Sequence, residues 1–252
     1  MLPEQVNVPR ISEMPSQHPG MLVVFTGPTA AGKDTLLNLA LARFPWMSRI
    51  VTDTTRPRRD GEVNGRHYNF FASEEEFLAR KHLERYPYPN GWKGSPLDAV
   101  LDIERKNTAH AITLDLSAAG NIERIIRDNC EHALADRVVA RILTICVGVP
   151  RLTVLHDRFT RRHFPEHYLP ANAGALEGGV YSREHTSIHG DIRGRLRLEW
   201  DNWLAAKDNL PNIVNNMGDI DTADQEIGRL IVAHQTRLLT PSASYPDMNA
   251  GL

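Results

Sequence analysis

The sequence lacks several features that would place the protein in a special class. Only two cysteines occur among its 252 residues, Cys130 and Cys146, which fits reduced, buried thiols in a reducing compartment. No apolar run approaches the roughly 20 residues of a membrane helix, and no apolar leader segment lies near the N-terminus. The formal net charge of −2 offers no basic field for nucleic acid or anionic lipid. We expect a cytoplasmic protein without nucleic-acid or membrane partners, of unspecified oligomeric state.

The chain does contain a regular alternation of apolar runs and helical patterns. Apolar runs typical of strands lie at residues 21–25, 48–51, 110–116, 138–149 and 212–216. Helical patterns lie at residues 34–44, 96–106, the segment after Pro150, 191–208 and 222–238. Such alternation is typical of a parallel sheet covered by helices, so the predicted fold class is α/β.

A glycine-rich loop follows the first apolar run. Residues 27–35, GPTAAGKDT, have the G-x-x-x-x-G-K spacing of a P-loop between a predicted strand and helix. Glycines let the backbone N–H groups face phosphate, and Lys33 reaches the terminal phosphates. Asp34 stands where the motif has Ser or Thr for Mg²⁺. The loop residues expected to bind ATP are Gly27, Pro28, Thr29, Ala30, Ala31, Gly32, Lys33, Asp34 and Thr35.

A second phosphate site is indicated by residues 54–71, TTRPRRDGEVNGRHYNFF. Arg56 and Arg59 with Tyr68 can hold one phosphate through charge-assisted hydrogen bonds. The segment resembles the signature of the guanylate kinases. That signature is T-T-R, a basic residue three positions on, an acid three positions later and then G-x-x-Y-x-F. The matching residues are Thr54, Thr55, Arg56, Arg59, Glu62, Gly65, Tyr68 and Phe70. The resemblance extends more loosely over residues 20–238.

The resemblance implies a P-loop nucleoside-monophosphate kinase fold with a five-stranded parallel sheet. It also implies ATP-dependent, Mg²⁺-assisted phosphorylation of GMP or dGMP. In that family the two arginines and the tyrosine bind the GMP phosphate, and a hydroxyl, a Glu and a Ser read guanine. A carboxylate can accept from the base N–H groups, and hydroxyls can donate to its carbonyl. The acceptor residues implied here are Thr52, Arg56, Arg59, Tyr68, Glu84, Ser95 and Asp115.

The donor side follows from the same resemblance. Lys33, Arg162 and Arg195 are expected to be catalytic, since mobile arginines can neutralise charge on a transferred phosphoryl group. Arg158 and Asn215 are expected to contact ATP. Asp115 and Asp34 are expected to hold Mg²⁺ through water.

The resemblance also suggests a division of the chain. We predict a mobile N-terminus at residues 1–20, one domain at residues 21–240 and a mobile tail at residues 241–252. Polar residues 52–95 are assigned to an acceptor-binding subdomain and residues 157–190 to a lid. The remaining core comprises residues 21–51, 96–156 and 191–240.

Four departures from the family pattern stand out. Asp34 replaces the P-loop hydroxyl. Lys93 stands where the family often has Tyr before Gly-Ser, and Ser117 stands where the family has a second acid. The lid is longer than expected by roughly twenty residues. It contains two H-x-x-x-H pairs, interpreted as solvated loop histidines rather than a metal site: His163/His167 and His185/His189.

Two other functions remain open. The G-K-D-T form of the P-loop is similar to that of ribose 1,5-bisphosphate phosphokinases, but a sugar phosphate has no guanine edge for Glu84 and Ser95. A non-catalytic guanylate-kinase-like binding module is the third possibility. The complete set of Gly27, Gly32 and Lys33 argues against it.

Overall fold

The computed structural model describes residues 18–88, 91–163, 186–216 and 219–240. Within these residues the strands are β1 (Met21–Thr26), β2 (Ser48–Arg49), β3 (Asp53–Thr54), β4 (Asn69–Phe70), β5 (His82–Tyr88), β6 (Gly91–Pro96), β7 (Ala109–Thr113), β8 (Ile142–Gly148) and β9 (Ile213–Asn215). The helices are α1 (Lys33–Arg43), α2 (Glu74–Ala79), α3 (Leu97–Arg105), α4 (Leu116–Arg127), α5 (His132–Val139), α6 (Leu152–His163), α7 (Thr186–Ala206) and α8 (Ile220–Leu239).

A five-stranded parallel sheet organises the chain, in the order β2-β7-β1-β8-β9. β1 pairs in parallel with β7 on one side and with β8 on the other. Every residue of β1 is buried, because the strand is central and helices cover both faces of the sheet. The predicted α/β class and the parallel five-stranded sheet are confirmed.

The alternation of side chains along β1 creates two cores. Met21, Val23 and Phe25 point to one face and pack with buried residues of α1 and α8. Leu22 and Val24 point to the other face and pack with α3, α4 and α5. Successive side chains of a strand point to opposite faces of the sheet. An all-apolar strand therefore needs a helix layer on each side.

A second, mixed sheet lies in the predicted acceptor-binding subdomain. Its order is β4-β3-β6-β5; β3 and β4 are parallel, whereas β6 is antiparallel to both β3 and β5. α2 precedes β5 and begins at the Ser73 cap, whose side chain accepts from Glu76 N. The cap satisfies an amide that the first helical turn leaves unpaired.

Two apolar runs contain more than a strand. The run at residues 138–149 begins within α5. That helix ends at Val139, and β8 begins only at Ile142. Val138 is buried in the core as a helical residue. A short apolar run in the sequence does not show whether its residues belong to a buried helix or to a buried strand. The run at residues 110–116 similarly leaves β7 at Thr113 and starts α4 at Leu116.

Several predicted segments fall partly outside the described residues. The proposed N-terminal segment at residues 1–20 is described only from residue 18, and the tail at residues 241–252 is not described. Residues 164–185, most of the predicted lid, also lie outside the described part. No helix in the described ranges has both the length and the apolar composition to cross a bilayer.

Candidate active site

The P-loop connects β1 to α1 in a conformation that depends on its glycines. Gly27 has φ 133° and Gly32 has φ 98°, a region that side chains other than glycine rarely adopt. A Cβ on Gly27 would lie 2.2 Å from the Val147 carbonyl oxygen, and one on Gly32 would lie 2.5 Å from Asn216 Nδ2. Both glycines are therefore required by backbone geometry and by close neighbours.

Lys33 lies at the start of α1 and turns back over the loop. Its Nζ donates to the carbonyl oxygens of Gly27 at 2.8 Å and Pro28 at 2.9 Å. The amide of Thr29 donates to Glu199 Oε2 at 2.6 Å, so a carboxylate of α7 already meets a loop amide. Loop amides, a helix N-terminus and an ammonium group together favour an anionic ligand.

A cavity of about 350 Å³ opens beside this loop. We call it the P-loop cavity; it is lined by Ala30, Gly32, Lys33, Asp34, Thr35, Arg158, Arg162, Asn216 and Ile220. The predicted donor residues of the loop thus meet two of the predicted arginines, both from α6.

Arg158 and Asn216 support the floor of the P-loop cavity. Arg158 donates to the carbonyl oxygens of Ala31 and Asn216, each at 3.0 Å. Asn216 Nδ2 donates to the same Ala31 oxygen at 2.9 Å. Burial lowers the pKa of the Arg158 guanidinium, although arginine stays charged in proteins.

Asn215, the asparagine predicted to contact ATP, is exposed at the end of β9, whereas Asn216 is 4% exposed. Val214 is buried, and side chains two apart in a strand share a face. Burial, which the sequence pattern does not give, singles out Asn216, a residue to which the motif comparison assigned no role.

A second cavity, of about 530 Å³, adjoins the first. We call it the acceptor cavity; it is lined by Asp34, Arg49, Ile50, Val51, Thr52, Arg66, His67, Tyr68, Glu84, Tyr86, Lys93, Gly94, Ser95, Ile112, Thr113 and Arg162. Four predicted acceptor residues meet here, namely Thr52, Tyr68, Glu84 and Ser95. The basic residues Arg49, Arg66 and Lys93 join them, and motif reasoning gave none of the three a role.

Asp34 and Arg162 border both cavities. Asp34 is the second residue of α1, and Arg162 lies near the end of α6. The two cavities therefore meet between a carboxylate and a guanidinium. Groups bound in the two cavities would face each other at this junction.

Glu84 and Ser95 lie opposite each other on the antiparallel strands β5 and β6, which explains their eleven-residue spacing. Ser95 Oγ donates to Glu84 Oε1 at 3.1 Å, and Asp115 N donates to Glu84 Oε2 at 3.3 Å. Burial, together with the nearby charge of Asp115, raises the pKa of Glu84 to about 7. The cavity thus contains a carboxyl group that titrates near neutrality.

Asp115 caps α4 by accepting from Ala118 N at 2.7 Å. The structure places its backbone beside Glu84, on the acceptor side. Among the described residues, no group of three or more His, Cys, Asp or Glu side chains could hold a metal ion. Mg²⁺ needs only one or two protein carboxylates when phosphates supply other ligands. The exposed Asp34 carboxylate at the P-loop cavity, with Thr35 nearby, fits that limited requirement.

Arg56 forms an ion pair with Glu62 and lies over the ring of Tyr68. Its guanidinium donates to both carboxylate oxygens of Glu62, at 2.8 and 2.5 Å, and lies 4.9 Å from the centroid of the Tyr68 ring. The hydrogen bond with Glu62 raises the pKa of Arg56, and Arg56 lowers that of Glu62 to about 2. Arg59 is exposed, and its amide donates to Glu62 Oε2 at 2.9 Å. Glu62 is therefore the centre of this cluster, a role that the signature alone did not assign.

Some predicted residues cannot be located by their side chains. Arg195 lies on α7, but its side chain is outside the described part. The same holds for the side chains of His163, His167, His185 and His189.

Comparison with known proteins agrees with this geometry. The family model described as "Guanylate kinase" matches residues 20–131. Guanylate kinase from Chlorobium luteolum is 30% identical over 178 residues, covering 68% of this chain and 84% of that protein. Guanylate kinase from Nostoc sp. is 36% identical over 119 residues, covering 46% of this chain. That alignment spans only 58% of the Nostoc protein.

A crystal structure of guanylate kinase from Anaplasma phagocytophilum superposes with a TM-score of 0.49 and 17% identity, covering 87% of this chain and 88% of that one. The family assignment rests on the sequence relatives. The parallel sheet, the P-loop and the adjoining cavity define a P-loop nucleotide-binding protein. Within that class, the chain belongs to the guanylate kinase family.

Proposed function

We propose that this protein transfers the terminal phosphoryl group of ATP to GMP or dGMP. The single observation that carries the proposal is the meeting of the P-loop cavity and the acceptor cavity between Asp34 and Arg162. A donor phosphate at the loop and an acceptor phosphate in the other cavity would face each other there. Direct transfer between two bound nucleotides requires such an arrangement.

On the donor side, the loop amides and Lys33 hold the ATP phosphates. Lys33 Nζ exchanges its two loop carbonyl partners for phosphate oxygens when the nucleotide binds. Arg158 and Asn216 hold the loop in shape through the Ala31 carbonyl. Asn215 remains the adenine contact that family resemblance suggests.

On the acceptor side, Glu84 accepts from the N–H groups of guanine, and Ser95 and Thr52 contribute hydroxyls. Arg56, Arg59 and Tyr68 bind the acceptor phosphate. Arg56 is already neutralised and oriented by Glu62, so it needs no large reorganisation on binding. Asp115, beside Glu84, supports the same side of the site.

Transfer itself needs neither a covalent intermediate nor a strong general base, because an oxygen of the acceptor phosphate is already nucleophilic. Positive side chains stabilise the charge of the transferred group. Lys33, Arg162 and Arg195 take this role. The family resemblance assigns the exclusion of water during transfer to a lid at residues 157–190, of which residues 164–185 lie outside the described part.

Mg²⁺ is the metal that fits this site, and the Asp34 carboxylate, through water, and Thr35 are the residues that would hold it. It supplies charge neutralisation between donor phosphates when bound. Asp115 is the remaining candidate for a water-mediated contact.

A coupled assay of ADP release tests the proposal. The acceptors are GMP, dGMP, AMP, UMP, CMP and ribose 1,5-bisphosphate, with a blank that lacks acceptor. GMP and dGMP are expected to give the highest turnover, and Lys33→Ala is expected to abolish it. Turnover with GMP and dGMP no higher than the blank would refute guanylate kinase activity.

The second candidate acceptor is ribose 1,5-bisphosphate. Asp34 after the P-loop Lys suggests it, and Arg66 and Lys93 of the acceptor cavity could bind a second phosphate. The partly buried Glu84 carboxyl argues against this acceptor, because a sugar phosphate offers no base to that group. Glu84→Ala distinguishes the two acceptors: it should weaken the binding of GMP and leave the binding of a sugar bisphosphate unchanged. Absence of ATP turnover with every acceptor tested would indicate a non-catalytic binding module.

A further inference from the structure

Asp34 poses an electrostatic problem for the P-loop. It stands in the first turn of α1 and lines the P-loop cavity, where the motif has a hydroxyl. A carboxylate near bound phosphates repels them, most strongly where water is partly excluded. A loop with this residue therefore needs a compensating positive charge.

Arg49 supplies that charge from a different part of the fold. It is the last residue of β2, and its Nη2 donates to Asp34 Oδ1 in an ion pair. β2 is held in register by pairing with β7, Arg49 opposite Ala111. The sheet thus presents Arg49 to the start of α1.

The Arg49–Asp34 ion pair contributes little to folding stability. The side chains of Arg49 and Asp34 are 43% and 58% exposed, and exposed ion pairs contribute little to stability. Its position is more informative, because Arg49 and Asp34 both line the acceptor cavity and Asp34 also lines the P-loop cavity. The pair lies where donor and acceptor phosphates would meet.

We propose that Asp34 and Arg49 act as one charge-compensated unit: Arg49 neutralises Asp34 and thereby lets this P-loop bind ATP. Arg49 is a positioning residue in this sense, acting on the nucleotide through Asp34. A guanidinium has five N–H donors, so it can hold Asp34 without leaving its place when phosphate arrives. The inference rests on the proposed function only in requiring ATP at the P-loop.

A double-mutant cycle on ATP binding, measured by calorimetry without any acceptor, tests the pair. Arg49→Ala should weaken ATP binding roughly tenfold, since it leaves Asp34 uncompensated. All titrations are made without Mg²⁺, so that a water-mediated metal contact of Asp34 plays no part. Under these conditions Asp34→Asn should bind ATP more tightly than the unaltered protein, because a carboxylate beside the phosphates has been removed. In the Asp34→Asn background, Arg49→Ala should cost less than about twofold, because no carboxylate then needs neutralising.

Two further variants sharpen the comparison. Arg49→Lys keeps the positive charge and should stay close to the unaltered protein. Arg124→Ala is the matched control, because Arg124 forms an exposed pair with Asp128 on α4, with 66% and 59% exposure, away from both cavities; it should leave ATP binding unchanged. If Arg49→Ala does not fold, Arg49→Gln gives the same cycle.

Equal losses from Arg49→Ala in both backgrounds would overturn the proposal, since Arg49 would then contact ATP independently of Asp34. No loss in either background would also overturn it and leave an ordinary surface ion pair. If the protein binds ATP but does not phosphorylate GMP, the proposed acceptor is refuted. The double-mutant cycle then still decides the role of the Arg49–Asp34 pair. Absence of ATP binding by the unaltered protein would refute both.

Discussion

Ser95 Oγ donates a 3.1 Å hydrogen bond to Glu84 Oε1 across the β5–β6 hairpin. The bond places a hydroxyl and a carboxyl group side by side in the wall of the acceptor cavity. Burial and the neighbouring Asp115 make that carboxyl group hard to ionise. Base recognition in this protein should consequently depend on pH.

The pKa of about 7 for Glu84 predicts that GMP binds better as the pH rises from 6 to 8. Only the ionised carboxylate accepts from both guanine N–H groups, so the KM for GMP should fall several-fold over this range. Steady-state kinetics at fixed saturating ATP would measure it. Glu84→Gln should raise the KM and remove its pH dependence; a parallel slope in that variant would assign the titration to another group.

The same carboxyl group should affect folding stability. Its folded pKa is raised from 4.5 to about 7, so the unfolded chain releases the proton first as the pH rises. The stabilising contribution is therefore complete below pH 4.5 and is lost as the pH passes through 7, on the order of 3 kcal/mol. Urea unfolding of the unaltered protein and Glu84→Gln between pH 5 and 8 should show a steeper decline in the former.

Glu62 accepts from the Arg56 guanidinium through both carboxylate oxygens. If Arg56 binds the acceptor phosphate as proposed, Glu62→Gln should raise the KM for GMP roughly tenfold. The amide keeps the shape of Glu62, but its NH2 group is a donor, so only one of the two terminal atoms can still accept from the guanidinium. The KM for ATP should change little, because the cluster lies on the acceptor side. A change in ATP affinity equal to that for GMP would show a general loss of structure.

Asp53 anchors the start of the T-T-R segment. It is fully buried, and its carboxylate oxygens accept from Arg80 at 2.9 Å and from Asn69 at 2.8 Å. Asp53→Asn removes a buried charge from its partners and should destabilise the protein by about 3–5 kcal/mol. Asp98→Asn is the control: Asp98 binds the same Arg80 but is 58% exposed, so its loss should cost less than about 1 kcal/mol. Similar costs in urea unfolding would contradict this distinction.

Gly32→Ala should lower ATP affinity at least ~100-fold, because the new methyl group would collide with Asn216 and the backbone has φ 98°. Gly61→Ala is matched in backbone strain, with φ 80°, but a Cβ there meets no atom within 4 Å. It should cost about 1 kcal/mol of stability and leave ATP binding intact. Calorimetric titration of both variants separates strain from the collision. Equal ATP affinities would show that the contact with Asn216 is unimportant.

Local pattern predicted much of the architecture. The apolar run of β1 and the helical pattern of α1 are properties of neighbouring residues, and the P-loop lies between them as expected. The family resemblance pointed to Glu84 and Ser95 by their eleven-residue spacing, and the structure shows them opposite each other on β5 and β6.

Sequence patterns failed where a second signal overlapped the first. In the run at residues 138–149, the end of a buried helix adjoins a buried strand, and both are apolar. In IVNN, the family resemblance indicated Asn215 and gave no role to the adjacent Asn216. Burial separates them, since Asn216 is enclosed and Asn215 is exposed.

By itself, the sequence determined the alternation of strands and helices, the P-loop and the acceptor signature, because periodicity and turn chemistry are local. Only the tertiary structure decided that Arg49 of β2 pairs with Asp34 of α1 and that Asp34 and Arg162 lie between the two cavities. These contacts join residues distant in the chain. Their existence depends on how the sheet and helices pack, a relationship that residue spacing does not encode.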